Sequence, residues 1–140
     1  MDNIALVVGA TGLVGRALTD KLGRAGHIKT VVTLTRRPAP HVSAKVRNHI
    51  VDFDLLEDEA ALFQADVLFS CLGTTRRQAG SIDAQRRVDL DYQYQAARLA
   101  AERGVRHYLL VSSSGADAES RNAYLQMKGE LEKKVQKLPF

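Results

Sequence analysis

The stretch VVGATGLVGR, Val7 to Arg16, places three glycines, Gly9, Gly12 and Gly15, directly behind an apolar run. Glycine is costly where a strand should pass into a helix, so the pattern asks for a reason that a missing side chain satisfies. Ahead of it, Ile4 to Val8 is nearly continuous in apolar residues; behind it, Leu13, Ala17, Leu18 and Leu22 recur at helical spacing, and Gly23 and Gly26 stand near where that helix needs its C-cap. Strand, glycine turn and amphipathic helix in this order open a dinucleotide-binding βαβ unit. There the first glycine makes the tight turn, the second lets the backbone approach a pyrophosphate, and the third lets the helix pack on the strand, with unpaired helix N–H groups facing the phosphates. The spacing is G-x-x-G-x-x-G rather than G-x-G-x-x-G. On the glycines alone, a glycine-rich turn without a ligand stands as the alternative.

Working outward, apolar runs alternate with helix-period segments. Strands are predicted at Thr30 to Thr35, His49 to Phe53, Asp66 to Cys71 and His107 to Ser112, with helices from about Asp83 and about Asn122. Runs such as IALVV, VVTL, DVLFS and YLLVS lack strict alternation, as expected of parallel strands covered by helices on both faces. The segment RRPAPHVSA, Arg36 to Ala44, is a loop, because Pro38 and Pro40 fit neither a helix interior nor a central strand. The predicted fold is α/β, a doubly wound, mostly parallel, Rossmann-like sheet, with residues 1–140 forming one NAD(P)-binding domain.

Composition agrees. A chain of 140 residues, 45% hydrophobic and 26% charged, suffices for one sizeable core and is short for two. Nowhere do 18 apolar residues run without a charge, and the opening MDNIALVVGATG has neither a basic n-region nor a small-residue cleavage site. The expected compartment is the cytoplasm, with no membrane partner. Cys71 is the single cysteine, which excludes an internal disulfide and argues against structural zinc; beside Leu72 and Gly73 it reads as a buried, inert thiol. The net charge of +4 is spread over the pairs Arg36/Arg37, Arg76/Arg77, Arg86/Arg87 and Lys133/Lys134 with few aromatics beside them, so nucleic acid is not expected as a partner. His27, His41, His49 and His107 are dispersed, and none stands with a serine or acid at triad spacing.

The residues after the second strand bear on the nucleotide. About 20 residues past the last glycine an acid would hold the ribose hydroxyls of NAD, and an arginine would accept the 2′-phosphate of NADP. The sequence there reads TLTRRP: no acid, and Arg36 and Arg37 following directly. A guanidinium fork grips a phosphate, so NADP is the expected cofactor; two arginines that merely solubilise a loop are the alternative. In VDFDLLED, Asp52 and Phe53 fall at the predicted end of the third strand, where a side chain borders the adenine, unless Asp54 simply caps a short helix.

The chemical residues lie near the end. LLVSSSGADAESRNAYLQMKGELEKKV leaves a strand through Ser112, Ser113 and Ser114 and enters a helix with Tyr124 and Lys128 one turn apart. The stripe runs on through Leu131 and Val135, so this lysine, with no acid beside it in sequence, shares an inward face. A positive charge near a phenol favours the phenolate and suits Tyr124 as proton donor to a carbonyl oxygen during hydride transfer. Taken singly, Tyr-x-x-x-Lys is a common coincidence.

GATGLVG, TRR, CLGTTRRQAGS, RVDLDY and SSSGAD…YLQMKGELE are spread over nearly the whole chain. In this order they resemble the short-chain dehydrogenase/reductase superfamily, and within it the atypical NAD(P)-binding group that includes the Tat-interacting oxidoreductase-like proteins. The resemblance implies that Gly9, Thr11, Gly12, Leu13, Val14 and Gly15 hold the pyrophosphate, that Arg36 and Arg37 take the 2′-phosphate, and that Leu72 and Gly73 line the nicotinamide ribose. It makes Tyr124 the proton donor, Lys128 the group that binds the ribose and tunes Tyr124, and Ser113 the substrate-orienting serine, with Ser112 as second choice. Two departures stand out. Many relatives have an asparagine in the long helix to complete a proton relay, where this chain reads RVDLDY, with Asp89 and no Asn; and relatives run on past the Tyr/Lys helix, where this sequence ends at Leu138-Pro139-Phe140. The cofactor half is expected here, without the C-terminal substrate-binding part. The loop GTTRRQAGSID reads either as a cover over bound cofactor, with Arg76 or Arg77 near an anionic group, or as a mobile connection. The expected function is an NADPH-dependent reductase of a small carbonyl-like substrate, with a protein partner or homodimer left open; the alternative is an NADPH-binding sensor or regulatory protein without turnover.

Overall fold

Every strand-forming run lies parallel to its neighbours, which requires a crossover between each pair. In the computed structural model, which describes residues 3–140, β1 (Ile4–Val8) passes into α1 (Leu13–Arg24), then β2 (Thr30–Thr35) and β3 (Val46–Ile50). Turns of 3-10 helix over Phe53–Phe63 lead to β4 (Val67–Ser70). The short helices α2 (Arg76–Ala79) and α3 (Ile82–Arg86), a π-helical turn at Arg87–Tyr92 and α4 (Gln93–Glu102) precede β5 (His107–Leu110) and α5 (Ala123–Val135). The strand order is β3-β2-β1-β4-β5, so the sheet is the doubly wound, Rossmann-like one that the sequence predicts. Among the described residues no helix is long and apolar enough to cross a membrane.

Burial explains the unalternating strands. Leu6, Val8, Leu34 and Leu68 pack with Phe53, Leu56, Phe63, Ala96, Leu99 and Ala100 in one core cluster. Ala5, Val7 and Val31 pack with Leu22 and Ile28 in another. β1 therefore needs apolar residues at both parities, and Ala5 to Val8 are all fully buried. β5, at the end of the strand order, instead alternates exposed and half-buried, with Leu109 50% exposed.

Several boundaries differ from the sequence reading, each for a local reason. The third strand is Val46–Ile50 rather than His49 to Phe53: Asp52 caps the 3-10 turns by accepting the Asp54 N–H at 2.9 Å, which ends the extended backbone. The capping residue is thus Asp52, not Asp54. α1 ends at Arg24 on an extended Ala25. Gly23 lies inside that helix, where a Cβ would meet Ser43 at 2.8 Å, and Gly26 faces open space, so neither glycine is its C-cap. The last strand stops at Leu110, before the serines.

Core and edge can be told apart by truncation on neighbouring strands. Leu68→Ala should cost about 2–5 kcal/mol of unfolding free energy, and Leu109→Ala less than about 1 kcal/mol, both read from urea unfolding. Equal losses would show that β5 is packed as tightly as β4.

Candidate functional site

Strand order reverses between β1 and β4, and open α/β sheets bind ligands outside the carboxyl ends of the strands at such a switch point. The backbone there is tight. Gly9 has φ +84°, and a Cβ on it would lie 2.5 Å from the Leu72 nitrogen and overlap the Cys71 backbone; a Cβ on Gly15 would overlap the Gly9 carbonyl. These two glycines are required by the protein's own packing. Gly12 is not: the nearest atom to its missing Cβ is Gly9 O at 3.7 Å.

The start of α1 is open as well. Gly12 supplies no side-chain cap and the first turn holds no acid. Arg16 donates its N–H to Gly12 O at 2.9 Å, so the amides of Leu13, Val14 and Gly15 precede the helical ladder, as the first amides of a helix do. Leu13 is 91% exposed, with Val14 half exposed and Thr11 exposed beside them. An uncapped helix start reached over a side-chain-free glycine fits a pyrophosphate.

The loop carrying Arg36 and Arg37 is fixed from below. Thr35 Oγ1 donates to the Arg37 carbonyl at 2.6 Å. The Asn48 amide donates to the Thr33 and Thr35 hydroxyls at 2.8 and 2.9 Å, and its oxygen accepts the Ala39 N–H at 3.0 Å. His41 Nδ1 stands 3.5 Å from Asp20 of α1. Arg36 and Arg37 are exposed, and neither meets a carboxylate among the described residues. A shallow depression of about 430 Å³ between this loop and α1 is lined by Thr11, Arg16, Pro38 and His41 among others. Arg16 escaped the sequence reading; its position one residue past the third glycine was the available signal. Of the adenine-side pair, Phe53 is 4% exposed and its ring lies in the core against Tyr92, ring centroids 5.5 Å apart, while Asp52 is at the surface.

The third part of the site joins the loops behind β4 and β5 to α5. Asn122 caps α5 by accepting the Leu125 N–H at 3.1 Å, and Asp117 N–H donates to the Leu125 carbonyl at 3.0 Å. A Cβ on Gly129 would overlap the backbone of Asp117 and Ala118, so this glycine is what lets the serine loop lie flat on the helix. A glycine inside a helical stripe was the signal for that contact. Ser113 is half-buried, its hydroxyl donating to the Ser114 carbonyl at 3.3 Å, whereas the buried Ser112 hydroxyl has no partner. Tyr124 is 37% exposed, on the rim, and its hydroxyl makes no hydrogen bond among the described residues. Lys128 is 3% exposed, its ammonium 5.5 Å from the Tyr124 ring centroid. The acid that the sequence did not place beside it comes from the π-helical turn: Asp89 Oδ1 lies 2.8 Å from Lys128 Nζ. Gly73 adjoins this pair, and Leu72 packs against the core. Burial pushes the Cys71 thiol up, keeping it protonated and a poor nucleophile. No group of three metal-ligating side chains occurs among the described residues.

Comparison with known proteins bears on the family and the fold. A family model described as NAD(P)H-binding matches residues 9–137. The chain is 41% identical over 138 residues to Protein HTATIP2 of Rattus norvegicus, covering 96% of this chain and 57% of that protein. It is 38% identical over 141 residues to Protein FMP52, mitochondrial, of Saccharomyces cerevisiae, covering 96% and 60%. The chain thus spans less than two thirds of the length of these relatives. Among solved structures, MoeE5 in complex with UDP-glucose and NAD superposes with a TM-score of 0.77 at 20% identity, over 96% of this chain and 48% of that one. The Bordetella bronchiseptica enzyme WbmG in complex with NAD superposes with a TM-score of 0.78 at 13% identity, over 99% and 50%. At such identity these two show a shared fold.

The glycines give the site's own test. Gly15→Ala should destabilise the fold by about 1–3 kcal/mol or more through overlap with the Gly9 carbonyl. Gly12→Ala should cost less than about 1 kcal/mol yet abolish nucleotide binding. Melting curves with and without nucleotide read both, and unimpaired binding by Gly12→Ala would remove the pyrophosphate from this helix start.

Proposed function

The chain belongs to the NAD(P)H-binding family and has the fold of the short-chain dehydrogenase/reductase superfamily, and on that footing we propose that it binds NADPH in preference to NADH and serves the reduction of a small carbonyl-like substrate. One observation supports this above others. The uncapped start of α1, the loop behind β4 and the Tyr124/Lys128 helix follow parallel strands and so gather at the same end of the sheet. That end carries an uncapped helix start and a tyrosine whose ring centroid lies 5.5 Å from a buried ammonium.

In this reading the Leu13, Val14 and Gly15 amides hold the pyrophosphate, with Gly9, Thr11 and Gly12 shaping its approach. Arg36 and Arg37, with Arg16 across the depression, take the 2′-phosphate, for which unpaired guanidinium groups are the appropriate donors. Asp52 borders the adenine side. Leu72, Gly73 and Lys128 hold the nicotinamide ribose. NADPH, when bound, supplies the hydride. Tyr124 gives the proton from its hydroxyl to the carbonyl oxygen, and the nearby Lys128 ammonium stabilises the charge left on the phenol oxygen. Ser113, or the unpartnered Ser112, orients the carbonyl by donating to its oxygen. The cytoplasm remains the proposed compartment, beside the word mitochondrial in the name of the yeast relative.

Replacing both Arg36 and Arg37 by Ala should weaken NADPH binding by about 2–4 kcal/mol while sparing NADH. Isothermal calorimetry with the two nucleotides reads the difference, and equal losses would remove the preference.

Tyr124→Phe separates enzyme from sensor. It keeps the ring and its packing, so NADPH affinity should stay unchanged while carbonyl-dependent NADPH consumption falls by roughly 10²-fold or more. Consumption as fast as the parent's would show that the phenol is not the acid. Both readouts are taken on the full-length protein, where binding without turnover in parent and variant alike would favour a nucleotide-controlled regulator of a protein partner.

A further inference from the structure

His41 takes no part in the chemistry just described. Pro38, Pro40 and Val42 beside it are exposed, yet its own side chain is only 7% exposed, folded in against α1. It lines the depression of about 430 Å³ together with Arg16 and Asp20, and its Nδ1 stands 3.5 Å from an Asp20 carboxylate oxygen. Arg16 and Asp20 lie one turn apart on α1, so the wall that faces the loop carries one cation and one acid.

An acid is out of place in a hollow assigned to a phosphate. Asp20 is the sole carboxylate among the residues that line it, and like charge repels an arriving phosphate. The other groups around His41 do not offset that acid alone. On its own loop Arg36 and Arg37 are exposed, and Lys45 donates from Nζ to the Ala25 carbonyl at 3.0 Å; the turn behind β1 contributes the uncharged Ala10 and Thr11. With a neutral imidazole the charges lining the hollow cancel, Arg16 against Asp20; with an imidazolium they are net positive. An imidazole changes its charge between about pH 5 and 8. Packing does not ask for this residue, because an apolar side chain fills an inward place on a loop without an acid opposite it.

We infer that His41 is a specificity-determining residue for the 2′-phosphate: as an imidazolium it offsets Asp20, so the depression favours NADPH over NADH, and part of that preference is lost as the imidazole gives up its proton. The inference rests on the proposed NADPH function and adds to it a residue through which the choice of nucleotide responds to pH. The ligand's own titration runs the other way. A phosphate monoester gains its second charge near about pH 6 and so binds cations better as pH rises. A fall in NADPH affinity with rising pH therefore has to come from the protein.

Calorimetric titration of the full-length protein with NADPH and with NADH, at about pH 6.5 and again at about pH 8.5, on either side of the imidazole's change of charge, tests it. In the parent, NADPH should bind roughly fivefold more weakly at the higher pH while NADH stays constant. His41→Gln should lose that fall, binding NADPH at the lower pH no better than at the higher. His41→Lys keeps a positive charge throughout and should bind NADPH at both pH values as tightly as the parent does at the lower one. Asp20→Asn should tighten NADPH at the higher pH and leave NADH unchanged. Equal weakening of both nucleotides by His41→Gln would mean that the imidazole merely packs the loop, and would overturn the inference. So would a fall with pH that persists in His41→Gln or, should that variant not fold, in His41→Lys. In each of these cases a parent that still prefers NADPH leaves the proposed cofactor standing. A parent with no preference for NADPH at either pH overturns the proposed cofactor, and this inference with it.

Discussion

The close approach of α1 to the turn behind β1 is the constraint on which the rest of the structure depends. The Gly9 carbonyl occupies the place a Gly15 side chain would take, and the Gly9 α-carbon presses on the backbone behind β4. Those contacts set the distance between the first helix and the sheet and bring the ends of β1 and β4 together. Because the strands are parallel, that decision also aims every following loop at one end of the sheet. Gly12, whose missing side chain nothing in the protein needs, is left as the surface between the loops.

Charge is distributed on the same plan. The arginines at the end of β2 stand exposed on a loop tied down by Thr35 and Asn48, so they are placed without being neutralised. Lys128 is treated in the opposite way, buried and paired with Asp89. An exposed cation can be attracted to a phosphate from a distance, with salt screening its reach; a buried, paired one is screened much less by salt. The two ends of one site are thereby given different electrostatic ranges.

Much of the fold was legible because its determinants are local. The glycine triplet, the doubly apolar β1 and the inward stripe of α5 each report packing with neighbours close in sequence or with the sheet as a whole. What escaped depended on distant partners. Val46–Ile50 lies on the outer side of β2 and is half-polar, so its pattern was too weak to mark its ends, and Phe53 looked like a strand residue when it is a core residue of the following turns. The stripe showed that Lys128 turns inward, but its acid sits in another helix, displaced by a π turn that no residue pattern announces. Gly129 was legible as a cost and not as a contact, because the backbone it admits belongs to the preceding loop.

β5 carries a consequence of another kind. It ends the strand order, pairs with β4, and turns Leu109 outward, with Val111 just beyond its end also exposed. A parallel edge strand of this sort offers unpaired main-chain groups and apolar side chains along the same line, the combination that templates association between chains. The positive net charge opposes such encounters at low ionic strength. Within the described residues, this edge is where a further strand, from this chain or another, would find main-chain partners.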